Sequence, residues 1–182
     1  MSSFDDLPVW RNGAFRDDDW VRLADPDPRA LSEGSVLLPY GVFTADPARY
    51  LATNARLGVE VAPGEDVRVL EPHLTRLQLI ALMFPKFSDG RSYSSGRLLR
   101  ERLGYRGELR ATGDVLQDQI PLMRRCGFDS FAVHHGPTRH ALETGHLAAM
   151  RHFYQPLPLA PEVPAGTRPW ARLPSGDAEA KR

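Results

Sequence analysis

Leu77-Gln78-Leu79-Ile80-Ala81-Leu82-Met83-Phe84 runs directly into Pro85-Lys86-Phe87-Ser88-Asp89-Gly90-Arg91-Ser92-Tyr93-Ser94. The first segment is almost continuously apolar. That pattern predicts a strand buried on both faces, as in a parallel sheet covered by helices. The second segment gathers cations, a carboxylate, hydroxyls, a phenol and a glycine, and a helix is expected to follow from Ser94. Open α/β sheets place their binding sites where a strand runs into such a loop, in the crevice at the carboxyl end.

Toward the C-terminus the pattern repeats. Ser94 to Leu103 predicts a helix with Leu98, Leu99 and Leu103 inward and Arg97, Arg100, Glu101 and Arg102 mostly outward, stopped by Gly104. Glu108 to Thr112 predicts a strand. Gly113-Asp114 should open a helix, with Asp114 and Gln117 as a capping box and Pro121 as a kink. Gly127 ends that element. Ser130 to His134 is the next expected strand, and Gly136-Pro137-Thr138 leads into a helix reaching about Phe153. Strand–helix alternation of this kind implies consecutive βα units whose loops share one sheet edge.

Toward the N-terminus, Asn12-Gly13 between short alternating segments predicts a hairpin, because a type I′ turn needs positive φ at both central residues. The triplet Asp17-Asp18-Asp19 reads as a solvated turn rather than a metal site, since consecutive residues do not point one way. Val36 to Phe43 predicts a strand whose Pro39 favours a sheet edge. Thr44 to Arg56 predicts a helix with Pro47 near its start, and Leu57 to Val61 a short strand before a Pro63-Gly64 turn. Asp66 to Arg76 fits strand alternation and helical spacing alike; the expectation is a short strand or turn, then a helix after Pro72. The predicted fold is α/β: a mostly parallel sheet of βα units, as an open sheet or partial barrel, with a small N-terminal β-hairpin. Residues 1–30 would be hairpin and connector, 31–155 the α/β domain, and 156–182 a disordered Pro-rich tail.

Lys+Arg and Asp+Glu are balanced at 23 each, which gives no electrostatic case for nucleic acid or membrane as a partner. A lone cysteine, Cys126, excludes an internal disulfide and a thiolate metal site within the chain, and with no signal-like start or membrane-length apolar run the expected setting is cytoplasmic. Cys126 reads as a core residue rather than a nucleophile. No glycine-rich nucleotide fingerprint and no His-Glu-x-x-His spacing is present, so a metal is not expected and the cofactor stays open.

The candidate site residues lie at the three loop entrances. Lys86, Ser88, Arg91 and Ser94 could bind a small anion, Arg91 bidentately and Lys86 as a point charge. Thr112 and Asp114 come from the second entrance, His134 from the third, and Arg110 from the intervening strand. For acid–base chemistry the candidates are Asp89, Tyr93 and Glu108. Each has a plainer reading. Asp89 and Arg91 could simply pair across the turn, and Tyr93 could anchor the loop. Glu108 and Arg110, on one strand face at i, i+2, could be neutralised by Arg97 or Arg100 of the preceding helix.

The run from Phe84 to Ser94, continuing through Leu98-Leu99-Arg100-Glu101-Arg102-Leu103-Gly104-Tyr105-Arg106-Gly107-Glu108-Leu109-Arg110-Ala111, Gly113-Asp114-Val115-Leu116, Asp118-Gln119 and Arg125-Cys126-Gly127-Phe128-Asp129, resembles the bacterial domain of unknown function 934, over roughly residues 30 to 155. Ser92 stands where glycine is usual, Gly96 where alanine is usual, and Pro121 in a segment usually free of proline. The resemblance implies a setting beside assimilatory sulfite reductase and a probable-oxidoreductase label; it transfers no catalytic residue. The expectation is an accessory protein of sulfate/sulfite reduction that binds a small anion or a partner such as sulfite reductase at the 84–94 loop. The rival is a small oxidoreductase or other enzyme of sulfur metabolism using Asp89, Tyr93 or Glu108.

Overall fold

In the computed structural model, which describes residues 8–23, 34–147, 162–165 and 168–174, Leu77–Phe84 is a strand with its expected bounds, near the middle of a curled half-barrel. The half-barrel strands are β1 (Val9–Arg11), β2 (Ala14–Arg16), β3 (Trp20–Arg22), β4 (Ser35–Pro39), β5 (Arg56–Val61), β6 (Leu77–Phe84), β7 (Glu108–Gly113) and β8 (Ser130–Ala132). Their order across the sheet is β2-β1-β8-β7-β6-β5-β4-β3. From β3 to β8 every neighbouring pair is parallel. The expected hairpin forms, with φ of 52° at Asn12 and 81° at Gly13, and its β1 pairs antiparallel with β8.

The helical elements are α1 (Tyr40–Ala45), α2 (Pro47–Leu51), a 3-10 helix (Val67–His73), α3 (Arg91–Arg97), a π-helical turn (Leu98–Arg102), α4 (Ile120–Arg125) and α5 (Gly136–Thr144). All contribute to one core: Phe43, Tyr50, Leu70, Leu99, Ile120, Met123 and Leu142 pack on Leu38, Val59, Ile80, Leu82, Phe84, Leu109 and Phe131. The alternate strand residues point the other way. There, Trp20, Leu37, Leu79 and Ala81 form a separate small cluster beside buried Glu60 and Arg110. The expectation of helices on both faces is therefore corrected. With strands added strictly in sequence, crossovers of one hand all land on the same side, leaving the other face as the concave wall.

Several boundaries differ from expectation for local reasons. The strand predicted over Val36 to Phe43 ends at Pro39, whose φ of −58° leads into α1, and β3 covers its outer side, so Pro39 is not on an edge strand. The predicted helix over Thr44 to Arg56 splits at Asp46, whose carboxylate accepts from the Arg49 N–H to start α2. Val67-Arg68-Val69 is no strand: Asp66 accepts from the Arg68 N–H and opens the 3-10 helix.

The helix expected from Ser94 starts at Arg91, where the Ser92 hydroxyl donates to the Met83 carbonyl at 2.6 Å. Arg100, expected mostly outward, is 4% exposed. It donates to the carbonyls of Gly127, Tyr105 and Gly107 at 2.8–2.9 Å and pairs with Asp129. Asp114 does not cap a helix with Gln117; the helix begins at Ile120, so Pro121 sits in its first turn, where a missing N–H leaves nothing unbonded and no kink follows. Gly145 stops α5 at Thr144 with φ of 72°, well short of Phe153. Of the Pro-rich stretch beyond Pro156, Glu162–Ala165 (β9) and Arg168–Pro174 (β10) form an antiparallel pair, and the rest of that expected tail, like residues 1–7 and 24–33, lies outside the described residues. Among the described residues no helix is long and apolar enough to cross a membrane.

Candidate functional site

The loop after β6 is held from beneath. Asp114 Oδ2 accepts from the Phe87 N–H and Gln119 Nε2 donates to the Phe87 carbonyl, both at 3.0 Å, while the Asp114 N–H bonds the Phe84 carbonyl at 2.7 Å. Gly113, at φ 91°, makes that approach possible, because a Cβ there would run into the Phe84 carbonyl. Asp89 grips Arg91 with both carboxylate oxygens, at 3.0 and 2.7 Å, and also accepts from its backbone N–H at 3.2 Å. Those bonds from Arg91 hold the Asp89 carboxyl below its usual range. Tyr93 stands edge-on to Phe84 at 5.1 Å, and burial pushes its phenol up to about 12. In both cases the plainer reading matches the geometry: the pair braces the turn and the tyrosine anchors it. Lys86, Ser88 and Ser94 are exposed on the outer surface of this edge.

On the concave face the strand residues meet in a charged chain. Arg110 Nε and Nη2 donate to Glu108 Oε1 at 3.1 and 2.9 Å, and Nη1 donates to Asp18 Oδ2 at 2.6 Å. Glu108 also accepts from Ser130 Oγ at 2.6 Å and from Arg11 Nη1 at 2.8 Å. Burial presses the Glu108 carboxyl upward. The charge and hydrogen bonds of Arg110, with those of Ser130 and Arg11, outweigh that and hold it below its usual range. The expected partners Arg97 and Arg100 are elsewhere: Arg97 bonds Glu101, and Arg100 bonds Asp129. Nor is the acidic triplet simply solvated, for Asp18 is spent on Arg110 and Asp19 pairs with Arg56.

Beside this chain, toward the carboxyl ends of the strands, is a hollow of about 170 Å³. Arg110 and Thr112 from β7, Trp20 and Arg22 from β3, Met83 and Pro85 from β6 and its loop, and His134 just past β8 all line it, with Asp18 at one side. Trp20 packs close over Gly58, where a Cβ would stand 3.0 Å from its ring. Among the described residues, two buried polar atoms in this wall have no hydrogen-bond partner: the Thr112 hydroxyl, on a residue 9% exposed, and the Trp20 indole nitrogen, on one 5% exposed. Leaving a buried donor or acceptor unpaired costs about 1–3 kcal/mol, so such atoms call for an explanation. Burial, with Arg139 nearby, lowers the His134 imidazole's pKa, which favours its neutral form.

Of the sequence candidates, Arg110, Thr112 and His134 line the hollow and Glu108 supports it. Lys86 and Ser88 are in the loop after β6, Arg91 and Ser94 in the first turn of α3 and Asp114 in the loop after β7, with Arg91 turned toward Gly64. Trp20, Asp18 and Arg22 were not anticipated. Trp20-x-Arg22 does alternate as a strand does, but the preceding acids disguise it as turn. Cys126 is buried in the helix-side core. Among the described residues, no three His, Cys, Asp or Glu side chains converge to hold a metal ion.

No curated protein matches the chain significantly. A family model described as "Bacterial protein of unknown function (DUF934)" matches residues 58–163, a span that takes in most of β5, all of β6 to β8 and the segments between them. The chain belongs to that family.

Proposed function

We propose that this protein is an accessory factor of assimilatory sulfate/sulfite reduction that binds a small anion in the concave hollow. The observation that carries the binding part is the pair of unpartnered polar atoms, Thr112 Oγ1 and Trp20 Nε1, in one wall with the 3%-exposed Arg110. Arg110 spends three of its five N–H groups on Glu108 and Asp18, so donors remain for a ligand oxygen. An oxyanion offers several acceptors in a small volume, which suits donors that converge from separate strands. The sulfur setting rests on the family resemblance alone, and sulfite reductase is the partner it suggests.

The enzymatic alternative gains less support. Asp89 is committed to Arg91, Glu108 is kept ionised by two arginines, and the Tyr93 phenol stays protonated to about pH 12. Calorimetry with sulfite and sulfate tests the reading. Binding to the intact protein that Thr112→Val weakens at least about tenfold, the worth of one hydrogen bond to a charged group, would support it. Absence of any anion binding would overturn it. Turnover of sulfite lost in Asp89→Asn, with the fold retained, would favour the enzyme.

A further inference from the structure

We infer that the anion held in the hollow is an organic one, an acid group carrying a short alkyl chain; the inference deepens the anion-binding reading above and rests on it. The wall interleaves polar and apolar atoms. Thr112 is paired in register with Met83 across β7 and β6, so the unpartnered hydroxyl has a thioether chain as its neighbour. Trp20 brings an unpartnered N–H and an apolar ring on one side chain, and it belongs to a cluster with Leu37, Leu79 and Ala81. Pro85 and Ala132 add apolar surface from the loop after β6 and from β8.

An inorganic oxyanion presents oxygens in every direction. Those turned toward Met83, Leu37 or Ala132 would give up water and gain no donor, which is costly. An acid group with one alkyl substituent turns carbon toward those residues and oxygens toward Thr112, Trp20 and Arg110. Small-molecule sites commonly have this make-up, an apolar lining with a few placed polar groups that fix orientation. Size agrees. The hollow, at about 170 Å³, is comparable with a cavity of about 150 Å³ that takes a benzene ring. A bare acid group leaves much of that space to water, whereas a chain of two or three carbons fills it.

Probes of equal charge isolate the chain: methane-, ethane- and propane-1-sulfonate, and beside them acetate, propanoate and butanoate. Titrated into the intact protein by calorimetry, at least one series should gain about threefold in affinity per added carbon. The tighter series identifies the acid group. Thr112→Val should weaken every member of that series by a similar factor, because it acts on the oxygens. Met83→Ala should reduce the gain per carbon, and Ala132→Leu, which narrows the hollow, should penalise the longest chain most. Either of these two variants decides if the other fails to fold. Phe87→Ser alters an exposed aromatic outside the hollow and should leave the gain unchanged. The inference is overturned by less than about 1.5-fold gain per carbon in both series, or by a gain that survives Met83→Ala and Ala132→Leu. A gain lost equally in Phe87→Ser overturns it too. If sulfite binds in a Thr112-dependent way and any of these results holds, only the organic ligand falls. If neither sulfite nor any member of either series binds, the anion-binding reading falls with it.

Discussion

The two faces of the half-barrel sheet are built from the same strands by opposite chemistry. On the helix side, Ile80, Leu82, Phe84 and Leu109 meet apolar helix residues; buried Arg100 and Gln119 are bonded there, and the Trp10 indole nitrogen has no hydrogen-bond partner among the described residues. On the concave side, the intervening positions carry Glu60, Glu108, Arg110, Thr112 and Ser130 around a cluster of only four buried apolar residues. One face supplies most of the burial energy, since stabilisation scales with apolar area removed from water. The other spends part of that energy holding charges and unpartnered atoms in place. A sheet face that stabilises little is free to be specialised for binding.

The contrast can be broken or sharpened by substitution. Phe84→Ala, at the centre of the helix-side core beside Tyr93 and Phe128, should cost about 3–5 kcal/mol in urea unfolding. A cost under about 1 kcal/mol would deny that this face carries the stability. Arg110→Ala should cost somewhat less, about 3 kcal/mol, because it strands two carboxylates, Glu108 and Asp18. Gly58→Ala should cost about 1–2 kcal/mol by pushing Trp20 off the sheet, read as changed tryptophan fluorescence together with the shifted midpoint.

Acid should act through Glu108. Its folded pKa lies below the unfolded value of roughly 4.3, so its contribution is present above that value and is lost as pH falls through the folded one. Glu108→Gln should therefore flatten the stability curve below about pH 4.5. The smallest effect carries the opposite sign. Thr112→Val removes an unpaired buried hydroxyl at nearly constant shape and should be neutral or stabilise by up to about 1 kcal/mol, while anion binding drops. A loss above about 1 kcal/mol would mean that the hydroxyl is satisfied in solution and the site wrongly placed.

The helix side was largely legible in the sequence. Leu77 to Phe84 and Glu108 to Thr112 are apolar or alternating in ways that leave one assignment, and Asn12-Gly13 permits few turns. What escaped depends on contacts between distant segments. Trp20–Arg22 is too short to announce a strand, and it becomes one by pairing with Ser35–Leu37. Arg100 has the spacing of a surface residue and is drawn inward by three carbonyls that only the folded loops bring together. The site was half legible for the same reason. Same-face spacing of Glu108 and Arg110 follows from strand geometry, but their partners Arg11 and Asp18 are 97 and 92 positions away.

Because β1 pairs with β8, with Val9 opposite Ala132, the earliest strand in the chain takes its place beside one of the latest. On a ribosome adding roughly 5–20 residues per second, that leaves the hairpin waiting on the order of ten seconds for its neighbour. During that interval only its own turn and the edge-on contact of Trp10 with Phe15, at 5.1 Å, favour the pairing, and a two-stranded hairpin alone is marginally stable in water. Arg11 reaches Glu108 only when the hairpin docks, so the concave charge chain is completed late in synthesis. A ribosome-bound chain halted before Ser130 would lack β8 with Phe131, Leu142 of α5 and the docked hairpin, so its helix-side core and its binding face would both be unfinished.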